Sequence, residues 1–422
     1  MSPETPIPAS FARFATLALL AAVAAPGRAA CPDDYTYTVI ADTADEWSSF
    51  APAPALAAGG HVVFVGELDS GGYGLFMGSG LADAFPRMYD RTNDPQSDIV
   101  EFGDPAVNGE GQIAFWARLF RTTEPLDPTG IFRAEDGLQP PTEIALDRNA
   151  DPTSIYIGFG DDPDLRLNGR VVYAAVLVGG TPQVIHEGPG EFELASSASD
   201  PYYGHQHPTV SASHNFFAYW AGNDGGSDGT VLRGDRPVGV SDPVAGSFVG
   251  TNPVVSDGGA VAYREHYPLA PPPAPLETRL RRWSDPLPGP GGAVIVDTAL
   301  HPVRNLHLAT LSTAGGRCVV FDAFHEAPPS KGPKLFIGDP DEFHPIFERG
   351  IPILDGVVSD FAIGRHAANN RGQVAIWVRL NLGGGNSREL IVRADPDGAG
   401  VSFYDDGFET GDFDRWSDVV GD

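Results

Sequence analysis

Lysine is almost missing from this chain: among 422 residues only Lys331 and Lys334 occur. The 27 basic residues face 56 acidic ones, a formal net charge of −29. That balance argues against nucleic acid or an anionic membrane as partner. Methionine (3) and cysteine (2) are also scarce. There is no cysteine pair at zinc spacing, no phosphate-cradling glycine loop with its lysine, no Gly-x-Ser-x-Gly elbow and no His-Glu-x-x-His. The common nucleotide, zinc and serine-hydrolase chemistries therefore lack their motifs, which leaves less common enzymes open. Capped helical runs of ten or more residues are hard to find after residue 30, and no run is long enough to be a membrane span.

What the chain has is turns. It carries 51 glycines and 39 prolines, too many for a helical bundle, beside 42% hydrophobic residues, enough for a core. The composition reads as all-β. Residues 1–30 read as a secretory signal peptide: Arg13, then an apolar run from Phe14 to Ala25, then Pro26 and small residues. Residues 31–404 form the folded part and 405–422 an acidic C-terminal tail. Export places the protein outside the cell, in the periplasm or at the cell surface. There Cys31 and Cys318 can pair as a disulfide. Two other readings stay open: Cys318 as a small core residue, or Cys31 as a lipidated first residue.

Self-similarity organises the chain. The clearest unit is Asn108-Gly109-Glu110-Gly111-Gln112-Ile113-Ala114-Phe115-Trp116, with relatives at Asn369–Trp377 and Ser256–Tyr263 and looser copies ending at Phe64, Tyr173, Tyr219 and Phe321. These seven copies are spaced by about fifty residues. Asn followed three residues later by Gly supplies a turn and a position that tolerates positive φ; Asn215 takes the Gly position in the fourth copy. The strands that follow, such as Ile113–Trp116, Val171–Ala174 and Phe216–Trp220, are apolar on both faces and need cover on both sides. Further strands are expected at 130–133, 230–233, 335–338 and 390–393, and outer, more polar ones at 143–146, 183–186 and 293–296. Four strands per unit is the size of a propeller blade. The expected fold is a β-propeller, most consistent with seven four-stranded blades; a β-solenoid ranks second. The strand Tyr35–Ile40 stands before any first blade strand, so it is expected to close the ring by pairing near residues 390–404.

The Asn-x-x-Gly-x-x-Ala-Phe pattern, complete at Asn108–Phe115 and with Ile for Phe at Asn369–Ile376, resembles the tandem NxxGxxAF repeats of exported bacterial proteins. The likeness covers roughly residues 50–395, and Arg317 at the Gly position departs from it. It implies an exported, propeller-like protein and hands over no catalytic residues. The tail Asp405–Ser417 is similar to an acidic Asp-Gly-Phe-Glu-x-Gly-Asp ending with Trp-Ser on exported proteobacterial proteins. A solvated terminus docked on the last blade is the competing reading.

The segment Tyr202-Tyr203-Gly204-His205-Gln206-His207-Pro208 places two His at i and i+2, on one side of an extended strand. Comparable positions in other units hold Asp104, Asn252 and His366. In a propeller, His205, His207, Asp104, Asn252 and His366 are expected to converge at one channel mouth, as a ligand or metal site, as general acid–base groups, or as plain polar lining. Asn223–Gly229 and Asp161–Asp164 offer hard oxygen ligands of the calcium type without a complete calcium-loop spacing; otherwise no cofactor is implied. Pro268–Pro275 reads as an extended insertion in the fifth blade. The functional expectation is a binding or scaffold protein engaging protein or carbohydrate at the channel mouth. The alternative is a hydrolase or lyase using the His/Asp set there.

Overall fold

Strands apolar on both faces bury them by packing sheet on sheet, and seven such sheets do so here by standing around a ring. The computed structural model of the protein describes residues 31–397 except 81–83, 121–127, 136–139, 161, 180–182, 190–191, 197–201, 203, 212–215, 223–228, 235, 242–246, 251, 257, 270–275, 285–290, 313–317 and 329–330. Residues 1–30, read above as a signal peptide, the acidic tail, Asn215, Arg317 and most of the Asn223–Gly229 loop lie outside the described residues, as does the centre of the proline-rich insertion. No helix occurs among the described residues, and none is long and apolar enough to cross a membrane.

Each blade is an antiparallel meander from the channel outward. Blade 2 is typical: an inner strand in two pieces, Ile99–Phe102 and Ala106–Val107, then Ile113–Leu119, Thr129–Ala134 and Thr142–Leu146. The strand after the Asn turn is thus second in its blade. The seven inner strands begin at Trp47, Ile99, Tyr156, Gly204, Phe248, Val303 and Gly356. Gln183–His186, expected as an outer strand, belongs instead to the third strand of blade 3, Gln183–Gly188; Phe192–Ser196 lies outside it. Seven buried apolar clusters fill the seven gaps between neighbouring blades, for example Val63, Leu75, Ile113 and Phe115 between blades 1 and 2. Within blades, facing aromatics on the second and third strands stack: Phe64 on Phe76, Phe115 on Phe132, and Phe321 on Phe336, with centroids 5.6, 5.8 and 5.3 Å apart.

The repeated Asn binds blade to blade. Asn369 accepts from the backbone N–H of Arg371 and Gln373, and its amide donates to Gln373 Oε1 and to the carbonyl of Ala57 in blade 1. Asn108 makes the same set, reaching the carbonyl of Arg166 in blade 3. Gly111 and Gly372 close these turns at φ +76° and +77°, a conformation side chains resist. Asn369→Ala is expected to lower stability by about 1–2 kcal/mol, since it orphans a buried carbonyl and two turn amides. A urea midpoint unchanged from the parent would sink this account of the repeat.

Ring closure follows the expectation. Tyr35–Asp42 pairs antiparallel with Asn386–Pro396 as the outer strand of blade 7, from Tyr35 opposite Pro396 to Asp42 opposite Leu390. Arg388 grips Asp42, and the Tyr37 hydroxyl donates to the Ile346 carbonyl of blade 6 at 2.7 Å. Cys31 and Cys318 form a disulfide, both buried among Val320, Leu335 and Ile337. With both sulfurs bonded, Cys31 has no thiol to carry a lipid.

Candidate functional site at the channel waist

In blades 1, 2, 3, 5 and 7 the inner strand is broken ahead of its turn, and in blade 4 its register slips there, whereas blade 6 keeps one strand, Val303–Ser312. The interrupted position holds Ala53, Asp104, Asp162, His207, Asn252 and Arg365 in blades 1 to 5 and 7. Proline follows it in five of them, as Pro54, Pro105, Pro163, Pro208 and Pro253. Proline lacks the N–H that a ladder needs, so it belongs on an edge strand or at a bulge. The channel-side strand is such an edge, and in blade 4 the pairing register slips between Gln206 and Thr209. The residues before the prolines therefore stand midway along the channel-side strands, at what is here called the waist of the channel.

Arg365 crosses that waist. Its Nη1 lies 2.5 Å from Asp162 Oδ2 of blade 3, and its Nη2 donates to the carbonyls of His207 (2.6 Å, blade 4) and Pro253 (3.1 Å, blade 5). His207 Nδ1 sits 2.8 Å from the same Asp162 oxygen. Burial disfavours ionisation of Asp162, but the Arg365 charge and the His207 hydrogen bond together outweigh it and hold the carboxyl below its usual range. His207 adopts φ +50°, a left-handed conformation uncommon for a side chain, with its ring on Asp162 and its carbonyl on Arg365. Gly364 lets blade 7 approach this closely, because a Cβ there would meet the Pro54 carbonyl oxygen at 2.6 Å.

The sequence-predicted residues divide. His207 belongs to the cross-channel set. His205 does not join it: it is buried, stacked on Tyr219 at 5.4 Å, because the slip at His207 breaks the expected i, i+2 equivalence. Both nevertheless line one cleft between blades 3 and 4, of about 270 Å³, with Phe159, Gly160, Asp162 and Gln206. Asp104 and Asn252 occupy the waist position of blades 2 and 5, and Asn252 precedes the Pro253 carbonyl that Arg365 binds. His366 is one place beyond the equivalent residue, which is Arg365. Its Nδ1 lies 3.6 Å from Asp164 Oδ1. Burial, aided by Arg365, holds the His366 imidazole below its usual pKa against the pull of Asp164 and Asp162. Asp164, buried, accepts the backbone N–H of Leu165 and of Val210, each at 2.7 Å. The oxygens of Asp162 and Asp164, read as calcium-type ligands, are thus engaged by Arg365, His207 and backbone amides. Among the described residues no three His, Cys, Asp or Glu side chains gather as a metal site.

A second feature surrounds the channel. Thirteen large apolar side chains are exposed among the described residues. All except Phe85 sit where strands begin or end on one face of the ring, the face where inner strands start: Ile155, Ile157 and Val178 of blade 3, and Leu354, Val357 and Leu382 of blade 7, are examples. The Val178 N–H donates to the Ile155 carbonyl, so these two stand side by side where blade 3 begins.

No family model and no curated protein matches the chain. Among solved structures, a protein of unknown function from Dyadobacter fermentans is 12% identical at a TM-score of 0.38, over 88% of this chain and 100% of that one. The GH74 xyloglucanase of Xanthomonas campestris is 10% identical at 0.41, over 83% and 54%. Trypanosoma rangeli sialidase is 10% identical at 0.34, over 86% and 58%. The chain spans little more than half the length of these two enzymes. The seven-bladed propeller rests on the strand pairing of the chain itself.

Proposed function

We propose that the protein is an exported binding protein that engages a protein partner with the face on which its inner strands start. The observation that carries this reading is the one-sided distribution of exposed apolar side chains. A contiguous apolar patch rimmed by polar groups marks an interaction surface. The exposed groups are mostly aliphatic, whereas sugar rings call for aromatic platforms, so a protein partner suits this face better than a carbohydrate. The cleft between blades 3 and 4, lined by Asp162, His205, Gln206 and His207, lies beside the blade 3 group.

A random-peptide display and a glycan array probed with the oxidised chain from Cys31 onward test the reading. Peptides are expected to be retained, and Ile157→Asp or Val178→Asp to weaken them at least tenfold while Phe85→Asp on the opposite face leaves them unchanged. Retention of glycans alone, or equal weakening by Phe85→Asp, overturns it.

The hydrolase alternative has one favourable observation, the 2.8 Å His207–Asp162 pair. Against it, the same Asp162 oxygen also holds Arg365, which suits a fixed strut better than a proton relay. Turnover of aryl glycosides or esters that disappears in Asp162→Asn would favour the enzyme reading.

A further inference from the structure

The strut engages Asp162 through one oxygen only: Arg365 and His207 both use Oδ2, at 2.5 and 2.8 Å. The other oxygen, Oδ1, makes no hydrogen bond among the described residues and is open to solvent. It faces the cleft between blades 3 and 4. A Cβ placed on Gly160 would stand 3.5 Å from Asp162 Oδ1, 3.5 Å from Ala174 Cβ and 3.9 Å from the Ala174 carbonyl oxygen, and all three residues line that cleft. A Cβ on Gly158, which also lines it, would meet nothing within 4 Å. The Gly160 N–H bonds the Ala174 carbonyl, continuing the ladder of Tyr156–Phe159, so positions 158 and 160 share one side of the strand. Their missing side chains leave a track about 7 Å long that ends on a carboxylate oxygen.

Such a track calls for a slim apolar stem with donors at its tip. Phe159, Ala174 and Val176 supply apolar wall. At the closed end, Asp162 Oδ1 and the Ala174 carbonyl can only accept. We infer that this cleft takes the side chain of a lysine, its methylenes lying along Gly158 and its ammonium filling the hollow at Gly160 to donate to Asp162 Oδ1. That the lysine belongs to a protein partner rests on the function proposed above. A lysine stem readily lies along apolar surface while its charge finds a polar group, and a chain of net charge −29 draws basic partners. Arginine suits the site less, because its fork pairs with two carboxylate oxygens and one is already taken. One carboxylate serving two cations has a parallel in blade 3, where Glu187 Oε1 lies 2.7 Å from Arg170 Nε and 3.4 Å from Arg166 Nε. An anionic ligand would face Asp162.

The test is a titration of the oxidised chain from Cys31 onward with n-butylammonium, read at the Gly160 amide by ¹⁵N–¹H correlation. n-Butanol, uncharged and of the same length, and n-butylguanidinium are the comparisons. A saturable shift is expected with n-butylammonium, at least tenfold tighter than with n-butanol and tighter than with n-butylguanidinium. Gly158→Leu, whose Cβ enters open space, fills the track and is expected to weaken the amine at least tenfold. Equal binding of n-butanol, equal or tighter binding of n-butylguanidinium, an amine shift indifferent to Gly158→Leu, or no saturable shift overturns the lysine site. The comparison of probes uses the unaltered protein, so it stands even where the variant fails to fold. The titration needs no partner, so its failure leaves the apolar face to the peptide screen. Peptides retained in that screen are expected to bind at least tenfold more weakly once their lysines are acetylated. Unchanged affinity after acetylation overturns the lysine while leaving the face as a docking surface.

Discussion

Arg365→Ala is expected to lower the stability of the ring by about 2–4 kcal/mol, less than the ~3–5 kcal/mol for breaking a fully buried pair because both partners keep some solvent contact. The side chain is 11% exposed and its partner Asp162 18%. Its loss leaves that carboxylate facing only His207 and strands the carbonyls of His207 and Pro253. The variant also has a pH signature. In the parent the Asp162 carboxyl is held below its unfolded pKa. It therefore adds stability above the unfolded value of 3.8, and that stability is lost as pH falls toward the folded value. Without Arg365 the folded carboxyl titrates higher, so the deficit of the variant is full at neutral pH and shrinks as pH falls through the carboxylate range. Arg365→Lys keeps the charge without the fork and is expected to recover part of the loss. Denaturant melts at pH 7 and pH 3 check both statements; a deficit that is equal at the two pH values would remove the electrostatic strut from the account.

The ring was legible because its physics repeats. Every blade needs the same tight turn after its inner strand and the same two-sided strand after the turn, so Asn108, Ser256 and Asn369 and the strands behind them recur at blade spacing. Tyr35–Asp42 was legible as an edge without a blade. The waist was legible in part. Counting four residues back from each turn residue finds Asp104, His207 and Asn252, and the same count finds Asp162 and Arg365. Both escaped for local reasons. Asp162 lies in a run of three acidic residues that looks like a solvated or calcium-binding loop. Blade 7 has His366 where five blades have proline, which drew attention one residue too far. No single-chain pattern announces that Asp162 and Arg365 meet, because residues 203 apart touch only after three intervening blades bend the chain across the channel. The apolar face was equally hidden: Ile155, Val178 and Leu382 read as ordinary strand ends until the ring puts all such ends on one side.

Removing the disulfide is expected to have the largest effect on the fold. Cys31 and Cys318 are 287 residues apart, and closing so long a loop restricts the unfolded chain by roughly 4–6 kcal/mol in the chain-entropy account, with about 2–5 kcal/mol the usual measured range. Its position adds a specific consequence. Cys31 directly precedes the closing strand, and Cys318 opens the second strand of blade 6. The bridge therefore tethers the start of Tyr35–Asp42 to a blade other than the one it completes. Without it, the strand stays on blade 7 through its ladder to Asn386–Pro396 and through Arg388, and its free N-terminal end becomes the point where the ring can open. Cys31→Ser with Cys318→Ser is expected to drop the thermal midpoint by more than ten degrees in parallel with the parent under reductant. Amide exchange should rise first in Tyr35–Val39 and its partners Val392–Pro396 and remain slow in blades 2 to 4. Uniform loss of protection around all seven blades, or no gain at the seam, would show that the bridge acts on the whole ring and not on its closure.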